Sequence, residues 1–452
     1  MARITLQQAA AWCGGTIDPK YKDVTFLGAS DDTRTLKKGQ LFVALHGQRD
    51  GHEFVPAAVE KGAAAVLCCH CDGDYPAIVV SDTRTALGDI ARGERNRLGC
   101  KVVGVTGSVG KSTTKEMIAS VLETTFRTGK SPANYNNDAK LPMAILALPE
   151  DTQVAVLELG VNHFREMAYL SSIAQPDIAV IINIGTMHIE HLGSQEGILQ
   201  AKLEILEGLK PEGTVLLNGD DPLLWNARKD IQRCGYFGVQ NDSVVVRGTD
   251  VCLDRGYVSF QVDYRDIHFP VELPVEGAHF VPDALAAISV GIALGVRPED
   301  IQQSLSQFRS VAGRQEILKI NDMTIIKDCF NAGPESMASA LNILGNQSGR
   351  RIAVLGDMLE LGVCTQAEHY RVGRIAAEKV DYCLAYGPNS GRVLDGALTG
   401  GMVGGKARAF EDRTELVAAL KRLARPGDVM LFKGSRGMHM DLALDQFLAE
   451  EK

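Results

Sequence analysis

Short apolar runs alternate with helical patterns over most of the chain. Residues 102–106, 154–159 and 178–184 are apolar runs of strand length, and residues 111–126 carry the longer pattern of a helix. Buried strands that alternate with helices predict parallel sheets and therefore an α/β fold. Residues 243–275 differ, because apolar and polar positions alternate there, which predicts antiparallel strands.

The same patterns divide the chain into three parts. A chain of 452 residues is too long for one ordinary hydrophobic core. We predict a small α/β domain at 1–98, a central parallel-sheet domain at 99–310 and a further α/β domain at 311–452. The other predicted elements are helices at 6–13, 54–62, 195–209 and 277–291, and strands at 41–45, 64–68, 213–218, 323–326, 352–355, 382–385 and 428–432.

Composition indicates a soluble globular protein in a reducing compartment. Hydrophobic residues make up 45% of the chain and charged residues 23%. No run approaches the ~18 apolar residues of a membrane span, and the N-terminus does not resemble a secretory signal. The net charge of −9 argues against a nucleic-acid partner. Ten cysteines in so long a chain are most simply reduced thiols of a cytoplasmic protein.

The run Cys68, Cys69, His70, Cys71 raises the alternative of a zinc site. Adjacent residues cannot easily converge on one tetrahedral ion, and no second CxxC-type pair follows. We therefore expect no zinc ion to be held by this run.

A glycine loop between a strand and a helix is the most informative motif. Glycines let backbone N–H groups turn toward an anion, and the helix N-terminus adds partial positive charge. In such a cradle Lys111 reaches the β- and γ-phosphates and the Ser112 hydroxyl binds Mg²⁺. The alternative is an ordinary glycine turn before a helix. The predicted nucleotide-binding residues here are Thr106, Gly107, Ser108, Val109, Gly110, Lys111, Ser112 and Thr113.

Polar side chains follow other predicted strands of the central domain. Glu158 ends an apolar strand, where a carboxylate can hold the metal that bridges nucleotide phosphates or can simply be solvated. Asn136 and Asn137 can bind a polar substrate or form a turn. His188 can reach a metal or phosphate, or be structural. Lys202 lies on a helix, where most lysines are solvated.

Polar turns also mark the outer domains. Ser30, Thr33, Arg34 and His52 gather polar groups around one short strand, although spacing alone favours solvated turns. In the third domain, turns at 327–337, 356–362 and 433–440 each follow a predicted strand. Ligands of open α/β sheets bind beyond the carboxyl ends of the strands, so these turns should line one crevice.

These segments, in this order, resemble the Mur ligases of bacterial cell-wall synthesis over nearly the whole chain. The motifs are TGSVGKSTTKEM, Asn136-Asn137, Glu158, the NIG…H segment at 183–188, Lys202, GRQE, AVLGDMLELG and KGSRGM. The resemblance implies a substrate-binding first domain, a central P-loop ATPase domain and a Rossmann-like third domain. It also implies ATP and Mg²⁺ as cofactors.

The resemblance implies an ATP-dependent amide ligation through an acyl phosphate. GDMLELG and FNAGPESM point within the family to UDP-N-acetylmuramoyl-tripeptide and D-alanyl-D-alanine as substrates, and a monomer is expected. Lys111, Glu158, His188, Lys202 and Arg314 would be catalytic, and Ser112, Glu158, His188 and a carbamylated Lys202 would hold metal. Asp283, Arg314, Asp328 and Asn331 would contact the nucleotide; Ser30, Thr33, Arg34, His52, Asn136 and Asn137 would contact the substrate.

Some positions depart from the family pattern. Phe280 and Asp283 replace two asparagines of the hinge segment, and Phe330 and Gly333 replace a tyrosine and another asparagine. Asp283 accepts hydrogen bonds but cannot also donate them as an amide does. Two alternatives stay open: a related ligase, including folylpolyglutamate-type enzymes, that acts on a different acceptor, and a binding protein that hydrolyses ATP only to change shape.

Overall fold

The computed structural model describes residues 3–254, 256–309, 315–403 and 405–449. Its first part is a small α/β unit. The elements are β1 (Ile4–Thr5), α1 (Leu6–Cys13), β2 (Thr25–Phe26), β3 (Ala29–Ser30), β4 (Leu41–Val43), α2 (Val55–Glu60), β5 (Ala65–Cys68), β6 (Ala77–Val79) and α3 (Thr83–Leu98). β3 to β6 form a parallel sheet in chain order, and β1 pairs antiparallel with β2. The predicted helix at 6–13 is confirmed, since Thr5 caps its start and Gly14 ends it at φ +65°.

The central part is built on a nine-stranded sheet. Its elements are β7 (Lys101–Thr106), α4 (Lys111–Glu123), β8 (Thr128–Lys130), α5 (Lys140–Leu146), β9 (Val154–Glu158), α6 (Glu166–Ala174), β10 (Ile178–Ile181), α7 (Ile189–Leu192), α8 (Gln195–Leu203), β11 (Thr214–Asn218), α9 (Pro222–Ala227), β12 (Cys234–Gly238), β13 (Val246–Asp254), β14 (Tyr257–Tyr264), β15 (Ile267–Leu273), α10 (Phe280–Leu294) and α11 (Pro298–Ser306). The strand order is β15-β14-β13-β12-β11-β10-β7-β9-β8.

The central sheet agrees with the predicted pattern and corrects some boundaries. The strands from β7 to β12 are parallel to their neighbours, whereas β13, β14 and β15 pair antiparallel as predicted for 243–275. The helix predicted to reach residue 126 ends at Glu123, and a tight turn follows in which the N–H groups of Thr125 and Phe126 both donate to the Leu122 carbonyl. The helix predicted at 195–209 ends at Leu203 and continues as a short 3₁₀ turn over Glu204–Glu207.

The third part is a six-stranded sheet with helices on both faces. Its elements are β16 (Glu316–Ile320), β17 (Met323–Asp328), α12 (Pro334–Gly345), β18 (Arg350–Gly356), α13 (Thr365–Lys379), β19 (Tyr382–Tyr386), α14 (Ser390–Thr399), β20 (Ala407–Phe410), α15 (Arg413–Leu423), β21 (Asp428–Lys433) and α16 (Met440–Leu448). The order is β16-β17-β21-β18-β19-β20, with β16 antiparallel to β17 and the other neighbours parallel. The four strands predicted here are all present.

The hydrophobic core does not stop at the predicted border between the first two parts. One buried cluster joins Ile4, Leu41 and Ile78 of the first unit to Leu157 and Ile181 of the central sheet. The first unit is therefore packed firmly on the central one, and the boundaries at residues 98 and 310 stay predictions. No helix among the described residues is long and apolar enough to cross a membrane.

Candidate active site

The glycine loop lies between β7 and α4, as the sequence predicts. Gly110 has φ +84° and immediately precedes α4. A Cβ atom at this position would lie 2.6 Å from Asp283 Oδ1. The left-handed conformation and this close approach both require glycine, so the tight turn follows from the residue type.

Asn183 holds the loop in place from the end of β10. Its side-chain Oδ1 accepts hydrogen bonds from the backbone N–H groups of Ser108 and Val109, each at 3.0 Å, and its Nδ2 donates to the Val109 carbonyl at 3.0 Å. Lys111 Nζ bonds the carbonyl oxygens of Gly107 at 2.8 Å and Ser108 at 3.2 Å. The sequence analysis included the segment 183–188 but missed this bracing role.

A carboxylate and a hydroxyl meet behind the loop. Ser112 Oγ donates to Glu158 Oε2 at 2.6 Å, and Asn136 Nδ2 donates to Glu158 Oε1 at 2.7 Å. Glu158 is 1% exposed, which excludes the alternative of a solvated strand end. Hard oxygen ligands of this kind suit Mg²⁺, and among the described residues Glu158 forms no ion pair that would compete for its charge. The donor set therefore fits the predicted metal.

Lys202 on α8 is buried, which excludes the alternative of a solvated helix face. Its side chain is 3% exposed and makes no hydrogen bond or ion pair with the part of the chain that the structure describes. Burial, and secondly the charge of Lys111, hold the pKa of Lys202 well below its usual range. The amine is thus poised to be neutral, which is the form that reacts with electrophiles.

The third part of the molecule closes over the central loop at 184–190. His188 Nδ1 lies 2.5 Å from Glu360 Oε2, and this contact holds the pKa of Glu360 below its usual range. The backbone N–H and the hydroxyl of Thr186 both donate to Glu335 Oε1 at 3.1 Å. His188 therefore faces an acid of the third unit, a partner that the sequence did not reveal.

The turns of the third sheet converge as predicted. Ser435 Oγ donates to the Ala332 carbonyl at 3.2 Å and accepts from the Leu359 N–H at 2.9 Å, so one hydroxyl joins all three turns. Next to it, buried Lys433 Nζ donates to Asp328 Oδ2 at 2.7 Å and to the Asn331 carbonyl at 3.0 Å. The predicted nucleoside contacts Asp328 and Asn331 are thus held by a lysine of the neighbouring strand.

These groups border one cavity of about 590 Å³ between the central and third units. Its lining includes Ser108, Val109, Gly110, Lys111, Thr113, Asn136, Asn137, Glu158, His188, His279, Phe280, Asp283, Asp328, Asn331 and Lys433. Thr106, Gly107, Ser112 and Lys202 lie outside this lining. The Asp283 carboxylate accepts a hydrogen bond from Thr114 Oγ1 at 2.8 Å. Arg314 lies outside the described residues.

The predicted substrate residues of the first unit fall into two groups. Ser30 Oγ donates to the Asp32 carbonyl at 3.1 Å, and the Arg34 guanidinium forms an ion pair with the Asp32 carboxylate at 2.7 Å. His52 lies in a different cluster, with its Nδ1 2.7 Å from Asp50 Oδ1. Lys61 Nζ donates to the Thr33 carbonyl at 2.8 Å. Within the described ranges no hydrogen bond or ion pair connects the first group to His52.

The two predicted substrate amides also have structural partners. Asn136 orients Glu158 as described above, and its carbonyl accepts the Gly160 N–H at 2.8 Å. Asn137 Oδ1 accepts the backbone N–H groups of Ala139 and Lys140 at the start of α5, at 3.2 and 2.9 Å. Both line the cavity, so each has one structural role and one face open to a ligand.

Comparisons with known proteins identify relatives over the full length of the chain. The Mur ligase middle domain matches residues 105–291, and the Mur ligase glutamate ligase domain matches residues 313–436. UDP-N-acetylmuramoyl-tripeptide–D-alanyl-D-alanine ligase of Bacillus subtilis is 39% identical, over 98% of this chain and 97% of that protein. The enzyme of the same name from Escherichia coli is 33% identical, over 98% and 97%.

Solved structures of Mur ligases superimpose on nearly the whole chain. A crystal structure of MurF from Acinetobacter baumannii superimposes with a TM-score of 0.90 at 32% sequence identity, covering 99% of each chain. MurF ligase from Thermotoga maritima in complex with ADP superimposes with a TM-score of 0.81 at 27% identity, covering 93% of this chain and 97% of that one. The three-part architecture predicted from the sequence is confirmed by these matches.

Proposed function

The chain belongs to the Mur ligase family, and from that premise we propose that it uses ATP to join D-alanyl-D-alanine to UDP-N-acetylmuramoyl-tripeptide. The γ-phosphoryl group passes to the terminal carboxylate of the tripeptide and gives an acyl phosphate and ADP. The free amine of the dipeptide then attacks the carbonyl carbon, the C–N bond forms, and inorganic phosphate leaves. Phosphorylation is needed because a carboxylate has no good leaving group.

The observation that carries this proposal is the shared cavity. Its lining combines the phosphate loop with polar groups of the third unit and with Asn136 and Glu158. A switch that only hydrolyses ATP needs contacts to the nucleotide and its metal, whereas Asn137, which lines the same cavity, belongs to neither set. A ligase needs such a further polar group, because the carboxylate must lie within reach of the γ-phosphate.

The phosphate end is the best supported part of the site. We assign Lys111 to the β- and γ-phosphates, since its Nζ already lies over the loop carbonyls that surround the anion site. Ser112 and Glu158 would hold Mg²⁺. When bound, that ion neutralises charge on the phosphate oxygens during transfer. Asn136 keeps the Glu158 carboxylate oriented.

Lys202 is proposed to act as a carbamate rather than as an amine. A neutral amine adds to CO₂, loses a proton and becomes an anionic carboxylate-like group, which is a metal ligand. The lowered pKa of Lys202 and its burial without a hydrogen-bond partner among the described residues support this assignment. His188 would support the same metal region when it is released from Glu360.

The remaining assignments concern the nucleoside of ATP and the UDP end of the tripeptide substrate. Asp328, Asn331 and Asp283 are assigned to the nucleoside of ATP, and Lys433 positions the first two. The polar turns of the first unit are assigned to the UDP end of the tripeptide substrate. We also propose that the three domains divide near residues 98 and 310, and that the enzyme acts as a monomer in the cytoplasm.

Product analysis tests the whole proposal. The purified protein is incubated with ATP, Mg²⁺, UDP-N-acetylmuramoyl-tripeptide and D-alanyl-D-alanine, and phosphate and product mass are measured. We expect a pentapeptide product and phosphate release that requires the dipeptide. Phosphate release that is independent of the dipeptide, with no pentapeptide formed, would identify a nucleotide-driven switch. A product with another amine in place of the dipeptide would identify a ligase of different specificity.

A further inference from the structure

A cluster of metal-binding side chains lies in the first unit, away from the ATP cavity. His46, His52 and Cys69 each present one ligand atom, and these atoms lie within 4.8 Å of one another. His46 Nε2 is 3.9 Å from Cys69 Sγ. Two segments that are 23 residues apart in sequence thus bring two imidazoles and a thiol to one point.

Asp50 lies beside both imidazoles. Its Oδ1 lies 2.7 Å from His52 Nδ1, at hydrogen-bond distance, and 3.3 Å from His46 Nδ1. An ionised carboxylate only accepts hydrogen bonds, so His52 Nδ1 carries the proton and His52 Nε2 is the nitrogen with the lone pair. His52 agrees with this tautomer, because its Nε2 accepts the Cys69 backbone N–H at 2.9 Å. Carboxylates that hold histidines in this way are the usual outer partners of metal-binding imidazoles.

The neighbouring residues of the run at 68–71 take other roles. The His70 ring stacks on His52, with centroids 4.7 Å apart, and its Nε2 faces Asp72 at 3.3 Å. Cys71 Sγ bonds the Gly73 carbonyl at 3.3 Å. The run at 68–71 therefore contributes Cys69 alone to the cluster, and the two histidines come from a segment that the sequence pattern did not connect with it.

We propose that His46, His52 and Cys69 bind a divalent transition-metal ion of the zinc class. Two neutral imidazoles and one thiolate form the mixed N/S ligand set that zinc and cobalt prefer, and a water molecule would complete a tetrahedron. Binding takes the thiol proton to solvent. The metal takes the place of the Cys69 N–H at the His52 Nε2 lone pair, so binding exchanges one backbone hydrogen bond for metal bonds from His46, His52 and Cys69 between the loop at 46–52 and the end of β5.

Cobalt spectroscopy tests this site without using ligase activity. Co²⁺ is titrated into the full-length wild-type protein and into Cys69→Ser, His46→Ala and Cys71→Ser. We expect a sulfur-to-cobalt charge-transfer band and tetrahedral d–d bands at one ion per chain, both displaced by Zn²⁺. Cys69→Ser should abolish the charge-transfer band and His46→Ala should weaken Co²⁺ binding at least tenfold, whereas the matched control Cys71→Ser should behave as wild type.

The alternatives give different spectra. Mg²⁺-type binding at Ser112 and Glu158 involves only oxygen ligands and produces no thiolate band. The absence of a charge-transfer band in wild type would overturn the proposal, and so would a band that survives in Cys69→Ser or disappears in Cys71→Ser. The cobalt titration measures metal binding and not ligase activity. A negative titration therefore does not contradict the proposed ligase reaction, and a negative ligase assay does not contradict the metal site.

Discussion

Replacing Lys202 with methionine should make the protein more stable and inactive. The lysine is 3% exposed and has no hydrogen-bond partner among the described residues, and its burial lowers its pKa and so favours the neutral amine over the ammonium form. Methionine keeps the length of the side chain and needs no partner. Removing a buried polar group that lacks a partner removes a desolvation penalty of about 1–3 kcal/mol.

The stability that Lys202→Met gains over the wild type should decrease as the pH rises. The unfolded chain binds a proton at Lys202 below the usual pKa of 10.5, whereas the folded chain does so only below its much lower pKa. Between these two values the unfolded state holds more protons, so wild-type stability rises with pH. The slope is about 1.4 kcal/mol per pH unit, and methionine contributes no such slope. The advantage of Lys202→Met should therefore shrink by that amount for each unit of pH.

Urea unfolding in CO₂-depleted buffer measures this difference. Tryptophan fluorescence reports on the first and central units through Trp12 and Trp225, and both proteins are compared at several pH values below 10.5, the usual pKa of lysine. With ¹³C-bicarbonate, the wild type should show a carbamate carbon signal that Lys202→Met lacks. Lys202→Ala should regain partial ligase activity with short carboxylates. A stability difference that does not change with pH would refute the claim of a neutral buried amine, and full activity of Lys202→Ala would refute the carbamate.

Three further predictions concern the cavity. Lys111→Ala should abolish turnover, because the phosphate site loses its cation; wild-type rates would contradict the phosphate-cradle assignment. Glu158→Gln should lower kcat/KM by about 10²–10³ and raise the Mg²⁺ concentration for half-maximal rate at least ~10-fold, since a neutral amide replaces the proposed ligand. Glu123→Gln, which neutralises an exposed carboxylate at the other end of α4, 3.8 Å from Lys130, is the control. Small-angle scattering should show a more compact particle with ATP and tripeptide substrate than without, and identical profiles would exclude a swing of the third domain.

Sequence reasoning succeeded where the chemistry is local. The glycine loop was predictable because the strand before it, the turn itself and the helix after it each follow from a pattern of consecutive residues. Gly110 shows why, since its positive φ and its contact with Asp283 leave no room for another residue type. The convergence of the third-domain turns was also predictable, because parallel strands bring their carboxyl ends to one edge.

Sequence reasoning failed where a residue's role depends on distant partners. The helix pattern around Lys202 does not distinguish it from a solvated lysine, and only the resemblance to the Mur ligases singled it out; its burial depends on the packing of α8 within the central unit. Asn183 and Glu360 act through contacts with residues 74 and 172 positions away. The strands predicted at 41–45 and 178–184 were too long, since apolar residues continue past Val43 and Ile181 into turns that the core also buries. The four strands predicted in the third part were instead one to three residues too short, because their ends are polar or glycine.

The contacts that close the third unit over the central one are mainly polar, and this matters for catalysis. Glu335 Oε1 receives two hydrogen bonds from Thr186, yet its Oε2 is buried with no hydrogen-bond partner among the described residues. An orphaned acceptor costs about 1–3 kcal/mol, which offsets roughly what two ordinary hydrogen bonds contribute. The His188–Glu360 pair is partly exposed and adds little in water. Ligands that bridge the cavity add contacts to both units, so their binding favours the docked arrangement of the third unit.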